Sequence, residues 1–537
     1  MTAKTNTKTD KKMAVIHKST HKQAAAGAAL LCGAAAALAQ QVPGQDQGPP
    51  AEQAGPVARG FRYDAGVAAR ETWTDNVLLG GPGDAKSGFI TEVIPRIRLS
   101  ENAARLRGDL SYSPDVLFYG KYGTQTRHQL NAGATGELVP DLFYLDGLAI
   151  ITQQRGSALG PASTESPAQN GNRLETRTLG LDPYIRGATS GGDTFFLRNN
   201  NAWTTTSNSE LPRTRLQDWI GHYESPAQRT VSWAGDAEDH RTSFTNEPTL
   251  DYQLARLKPR YHPDPDVLLY ASGGYEHNNF LERRSNPTYG GGVEWRPSRR
   301  TTAAARWEHR FFGSSYMVSG QHRAGGFVVT ADIGRDTTTF GQQTILPPLG
   351  DTAALLDDAL APVIANPDQR YNNVNQDMRN ANLPTTTVPT QLYFAQGLYV
   401  SRREDASIAY VMRALTTALT VYQARNRSLV DSGSLNLPNV FVVGDRTTSS
   451  GVGLTVAYRL TRETNVTLIG AKTLIKSEVP LVTHSNQAIA RLQVTHVIGP
   501  STNFSWGARY THFTTESSDF TGFTERMVFI GIDQKLF

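Results

Sequence analysis

Apolar and polar residues alternate one by one along most of this chain, and Tyr289 to Tyr316 sets the pattern. Ala303, Ala305, Trp307, His309 and Phe311 fall on one face of an extended strand, and Thr302, Ala304, Arg306, Glu308 and Arg310 on the other. Just upstream, Val293 and Trp295 oppose Gly292, Glu294 and Arg296, with Pro297-Ser298-Arg299 as the turn between. A period of two sends successive side chains to opposite faces of a sheet. One face here is small or aromatic and the other is charged. A sandwich gives this alternation with the apolar face in a core. A barrel gives it with the apolar face against lipid and the charged face around a lumen.

The same alternation recurs to the end of the chain. Leu106, Gly108, Leu110 and Tyr112 oppose Arg105, Arg107, Asp109 and Ser111. Leu179, Leu181, Pro183 and Ile185 oppose Gly180, Asp182, Tyr184 and Arg186. Phe504, Trp506, Ala508 and Tyr510 oppose Ser505, Gly507, Arg509 and Thr511. The last strand puts Val528, Ile530, Ile532 and Leu536 on one face and the terminal Phe537 on the other. The connections alternate between short ones and long polar ones at 155–172, 337–390 and 427–447. Outer-membrane barrels show this asymmetry, with short periplasmic turns and longer outside loops. Counting strands from both ends agrees when 391–413 is one strand, which predicts an even number of about 22 within a range of ~20–24. The expected fold class is all-β: a single large antiparallel transmembrane barrel over 61–537, with no plug domain. The 337–390 segment is expected as a long extracellular loop, in which Ala353 to Ala365 forms a short helix broken by Pro362. Folding into the mouth as a constriction is the alternative.

Residues 1–39 read as a secretory signal peptide, with a lysine-rich start, an apolar run over 24–37, and Ala37-Leu38-Ala39 as the cleavage site. The single cysteine, Cys32, lies inside that run, so no disulfide is expected after cleavage. Residues 40–60, rich in Gln, Gly and Pro, read as a flexible leader too short to bury a plug core. No later segment has the ~20 consecutive apolar residues of a membrane helix. A net charge of +4 is mild, and an exported chain gives no reason to expect a nucleic-acid partner. GxSxG, HExxH and cysteine pairs are absent, so no enzyme, cofactor or metal site is expected.

WTDNV at 73–77, NRLETRTLGLDPY at 172–184, GYEHNN at 274–279 and WRPSRRTTAAARWEHRFFGSSY at 295–316 resemble the PEP-CTERM (exosortase) system-associated outer-membrane β-barrel proteins. The resemblance runs from about Phe61 to Phe537 and is most specific over 295–316. It implies an outer-membrane barrel of a Gram-negative bacterium that serves exopolysaccharide export or surface display as a passive pore or scaffold. The partners expected are outer-membrane lipid, the barrel-assembly machinery, exopolysaccharide and periplasmic export components. A general diffusion porin and a structural or adhesive barrel with a closed lumen remain as alternatives. Arg186, Glu294, Arg296, Arg306, Glu308, Arg310, Arg491 and Arg509 are the candidate lumen-lining residues. Arginine forks could hold the uronic acids of a polymer, and Tyr184 could stack on a sugar ring. Alternatively, these charges pair across strands and simply keep the interior polar.

Overall fold

Each alternating run forms a strand that pairs antiparallel with the next, and the last pairs with the first. The computed structural model describes residues 60–536 apart from 162–165, 210, 227–229, 246–247, 340–341, 344–348, 389–396, 430–445 and 479–481. The signal peptide, residues 40–59 of the expected leader and Phe537 lie outside the described residues, and Gly60, expected in the leader, belongs to the first strand.

The chain starts with β1 (Gly60–Thr74) and β2 (Gly88–Asn102). The next crossing is broken into β3 (Leu106–Tyr112) and β4 (Asp115–Phe118), and the one after it into β5 (Thr124–Arg127) and β6 (Leu130–Val139). Pro114 lies at the first break and has no N–H to give the ladder. There the Ser113 N–H donates to the Gln129 carbonyl at 2.9 Å and holds the two broken arms together. Then follow β7 (Phe143–Arg155), β8 (Arg173–Ala188), β9 (Thr194–Thr206), β10 (Thr214–Glu224), β11 (Val231–Phe244) and β12 (Leu250–Asp264). Next are β13 (Val267–Asn278), β14 (Ser285–Ser298), β15 (Thr301–Arg310), β16 (Gly313–Ala324) and β17 (Phe327–Thr339). The last group is β18 (Leu398–Val411), β19 (Leu415–Ser428), β20 (Arg446–Arg459), β21 (Thr464–Ser477), β22 (Thr483–Gly499), β23 (Thr502–Thr515) and β24 (Phe523–Lys535). With the two broken crossings counted once each, these make a closed 22-strand antiparallel barrel. β1 pairs with β24 from Gly66↔Lys535 to Thr74↔Met527 and closes it.

The apolar faces point outward. Trp295 is 50% exposed, Trp307 44%, Val528 52% and Ile530 56%. A sandwich would have buried them. Among the described residues no helix is long and apolar enough to cross a membrane. The β14–β15 turn falls at Arg299-Arg300, with an irregular register between Trp295 and Ser298, so the expected turn at 297–299 shifts toward the C-terminus. The face assignment has a direct test. Leu257, exposed in the middle of β12, should resist a charge: Leu257→Arg should cost roughly 2–4 kcal/mol in folding into lipid vesicles. An unchanged unfolding midpoint would show that the strand is turned the other way.

The expectation of a barrel with no plug is corrected by the chain between β17 and β18. This segment leaves from the end that carries the long connections, but it turns inward instead of lying outside. It forms α1 (Thr352–Leu360) and α2 (Pro367–Asn380) inside the lumen. The Asp351 carboxylate caps α1 by accepting the Ala354 N–H at 3.1 Å. Pro367 opens α2, where its missing N–H costs nothing. Asn382 ends it with φ +45°, and the Leu383 N–H reaches back to the Met378 carbonyl at 2.9 Å. No plug precedes the barrel among the described residues; the filling comes from within the barrel sequence.

Candidate functional site

The inward faces of β7 to β17 carry a nearly continuous wall of paired charge. Arg198 on β9 bridges Asp146 at 3.0 Å and Asp182 at 2.9 Å. His222 on β10 meets Asp236 at 2.7 Å, and its neighbour Glu224 pairs with Arg260. His240 on β11 lies between Asp218 at 3.0 Å and Glu238 at 3.1 Å. Arg256 on β12 reaches three carboxylates: Asp236 at 3.0 Å, Glu238 at 2.7 Å and Glu308 at 2.8 Å. Arg310 on β15 binds Glu276 at 2.8 Å and the Tyr252 hydroxyl. A small cavity of about 60 Å³ sits beside it, lined by Glu238, His240, Tyr252, Arg306, Asp336 and Gln342.

All eight candidate residues face the lumen, but they do not form one site. Arg306, Glu308 and Arg310 join the wall, Arg306 with Asp336 at 3.7 Å. Glu294 and Arg296 pair with each other at 3.2 Å near the short-turn end. Arg186 lies at that same end with its guanidinium 4.4 Å from the Tyr144 ring. Arg491 and Arg509 are on the opposite side, where Arg491 donates to Gln493 and lies 5.1 Å from the Phe529 ring. Tyr184 already stacks on Tyr144 at 5.0 Å, with Arg198 5.1 Å from its ring. The forks of Arg256 and Arg310 are likewise filled by protein carboxylates.

The larger part of the wall was not singled out from the sequence. Its signal was present as charge alternation: Asp236, Glu238 and His240 on β11, then Arg256, Lys258 and Arg260 on β12. Alternate charges of opposite sign on neighbouring strands pair on one face.

The insert docks on the other side of the lumen. Leu355 and Ala359 of α1 pack on inward-facing Val328, Ala409 and Ala418. Leu356, Val374, Ala381 and Leu383 pack together on Ala457. Polar contacts anchor the insert near the short-turn end. Asp358 accepts from Gln321 at 2.9 Å and pairs with Arg323. Burial pushes the Asp358 carboxyl above the ordinary range, and the Arg323 charge opposes that rise. Arg98 donates to Asn375 at 3.1 Å, Arg459 pairs with Asp377 at 3.4 Å, and the Thr467 hydroxyl donates to the Ala381 carbonyl at 2.6 Å. Arg98, Arg323 and Arg459 sit at strand ends beside short turns, so the insert runs the length of the lumen.

The described parts of the 156–172 connection, residues 156–161 and 166–172, close part of the opposite mouth. Its Ser166, Pro167 and Ala168 carbonyls accept from Arg127 at 2.9, 3.1 and 3.2 Å. The Ser166 hydroxyl reaches Glu525 on β24 at 3.4 Å, and Ala158 packs on Ile475 of β21.

No family model matches this chain, and no curated protein matches it. Solved structures similar to it include the FrpB iron transporter from Neisseria meningitidis in its apoprotein form, at 11% identity over 88% of this chain and 81% of that one, with a TM-score of 0.45. The siderophore receptor PirA from Pseudomonas aeruginosa is 9% identical over 90% of this chain and 81% of that one, with a TM-score of 0.36. A mutant ferric enterobactin receptor (PfeA) from Pseudomonas aeruginosa is 9% identical over 89% and 81%, with a TM-score of 0.38. A closed sheet with apolar side chains outside and charge inside can be satisfied only across a bilayer. The chain is an outer-membrane β-barrel of the Gram-negative type, filled from within by its own insert.

Proposed function

We propose that this barrel serves the export or surface display of exopolysaccharide as a conduit closed at rest, which opens when the insert leaves the lumen. The observation that carries this reading is the insert itself, a polar two-helix segment seated in the lumen between strands that pair directly with each other. A polar wall suits a hydrated polymer, and the sequence resemblance supports the polymer pathway. Burial of Leu355, Leu356, Val374 and Leu383 contributes roughly 1.5–3 kcal/mol each before the insert's ordering cost is subtracted. Thermal opening is then rare, and a periplasmic or polymer partner has to supply the difference.

The test is a clean deletion with secreted polysaccharide measured, then complementation by the intact chain. Secretion should fall on deletion and return with the intact gene. Unchanged secretion would end this reading. The self-pairing of the wall favours a second one, a structural or adhesive barrel with a permanently closed lumen. In that case the deletion strain would lose surface attachment with its polymer output intact.

A further inference from the structure

The outer surface of β17 to β21 breaks the barrel's own pattern. Elsewhere, the outward positions near the long-connection end include aromatics such as Trp73, Trp203, Tyr275 and Tyr510. On these five strands cations stand there instead. The register carries Arg335 opposite Arg402, Arg402 opposite Arg425, and Arg427 opposite Arg446. Lys476 lies one strand further, opposite Thr448, which itself pairs with Arg425. Their parity is outward, the same as lipid-facing Ile333, Ile408, Val421 and Val452. Lys472 shares that face on β21, one outward position nearer the midplane than Leu474.

The height of this row matters. Phe327 and Tyr410 face each other at the short-turn end of β17 and β18. From Phe327 to Arg335 the strand climbs roughly 20 Å along the membrane normal at the usual rise and tilt. The row therefore lies where the apolar band gives way to headgroups. A cation on a lipid-facing strand is costly unless an anion meets it there. On the outer face of these strands, the described carboxylates are Glu404, which pairs with Arg402, and Glu478, which lies 3.3 Å from Arg446 and 3.2 Å from Lys476. Arg335 turns toward the Ser314 carbonyl, and Arg425 donates to Gln423 at 2.5 Å. The Nε of Arg402 is buried without a hydrogen-bond partner. Among the described residues of this outer face, the positive charge exceeds the carboxylates that balance it.

We infer that this face binds the phosphorylated glycolipid of the outer leaflet, with two or more headgroup phosphates held between Arg402, Arg425, Arg427 and the lysines of β21. Arginine forks suit phosphate oxygens, and lysine stems lie along apolar surface while their ammonium reaches the headgroup. The occupant is a lipid because the cations sit beside an apolar band and not at a loop tip. It carries several phosphates because the cations are spread over adjacent strands instead of converging on one point.

The full-length barrel in neutral detergent should be titrated with bisphosphorylated lipid A, lipid A stripped of its phosphates, phosphatidylglycerol and phosphatidylcholine, with bound lipid counted by native mass spectrometry. Bisphosphorylated lipid A should bind most tightly and the stripped form should lose that advantage, a comparison that needs no variant. Arg402→Gln/Arg425→Gln/Arg427→Gln should weaken the bisphosphorylated lipid by about a hundredfold, three interfacial cations being removed. Arg215→Gln/Arg241→Gln, on strands β10 and β11, should leave it unchanged. Equal binding of the stripped lipid would overturn the inference. So would a triple variant that binds like the wild type while still showing heat-modifiable migration. So would competition by an acidic polysaccharide or formation of a dimer lost in the same variant, since either would give the face a different occupant.

Discussion

Excising residues 340–397 and joining Thr339 to Leu398 by a two-residue turn should turn a nearly silent barrel into a steadily conducting one. The junction is sound because Thr339 and Leu398 already face each other at the end of the β17–β18 ladder. Every strand keeps its partners, and the lumen loses both helices. A barrel of this size without filling leaves an aqueous channel. The excision exposes Val328, Ala409, Ala418 and Ala457 to water, but these are small and cost little. It also strips Arg323 and Arg459 of Asp358 and Asp377, at sites wet enough for water to replace them. Planar-bilayer recording of both proteins decides the matter. Equal, low conductance would show that the 156–172 connection and the charged wall close the lumen without the insert. High conductance of the intact protein would show that the insert leaves an open path, and would favour a general porin.

Arg256→Leu should be among the most destabilising single changes in the wall, at about 3–5 kcal/mol. The guanidinium is buried against Asp236, Glu238 and Glu308, and among the described residues no other side chain pairs with all three. Leucine leaves these carboxylates close together with reduced compensation. Lys258 still reaches Asp236 at 2.5 Å and His240 still reaches Glu238, so Glu308 is the most exposed to the loss. Adding Glu308→Gln to Arg256→Leu should therefore recover part of the stability. Chemical unfolding in lipid vesicles, followed by tryptophan fluorescence, measures both effects. A loss under 1 kcal/mol for Arg256→Leu would mean that water already solvates this part of the wall. Leu257→Arg, one residue away and on the opposite face, fails for the opposite reason: it puts a charge into lipid instead of removing one from the lumen.

Barrel closure was legible because lipid outside and water inside act on every strand alike. Trp307 and Arg306, Ile530 and Glu525, Leu179 and Tyr184 each declare a face through a period of two, and an even number of crossings follows from the alternation of turns. The broken crossings at Ser113-Pro114 and His128-Gln129 were not resolved, since a local kink leaves the alternation on either side intact. The helices were only half legible. Pro362 marks the end of α1, and Tyr371, Val374 and Met378 carry a helical spacing that polar neighbours hide. Where those helices go was decided by tertiary structure alone. Asp358, Asn375 and Asp377 read as ordinary polar loop residues until the closed sheet brings Arg323, Arg98 and Arg459 to one end of one lumen. The inward Val328, Ala409, Ala418 and Ala457 read as weak spots in the polar face until the same closure sets them side by side as a seat. Alternation along a strand reports what lies on its two sides, lipid or lumen. It carries no record of which distant segment fills that lumen, because that depends on strands far apart in the chain meeting around a ring.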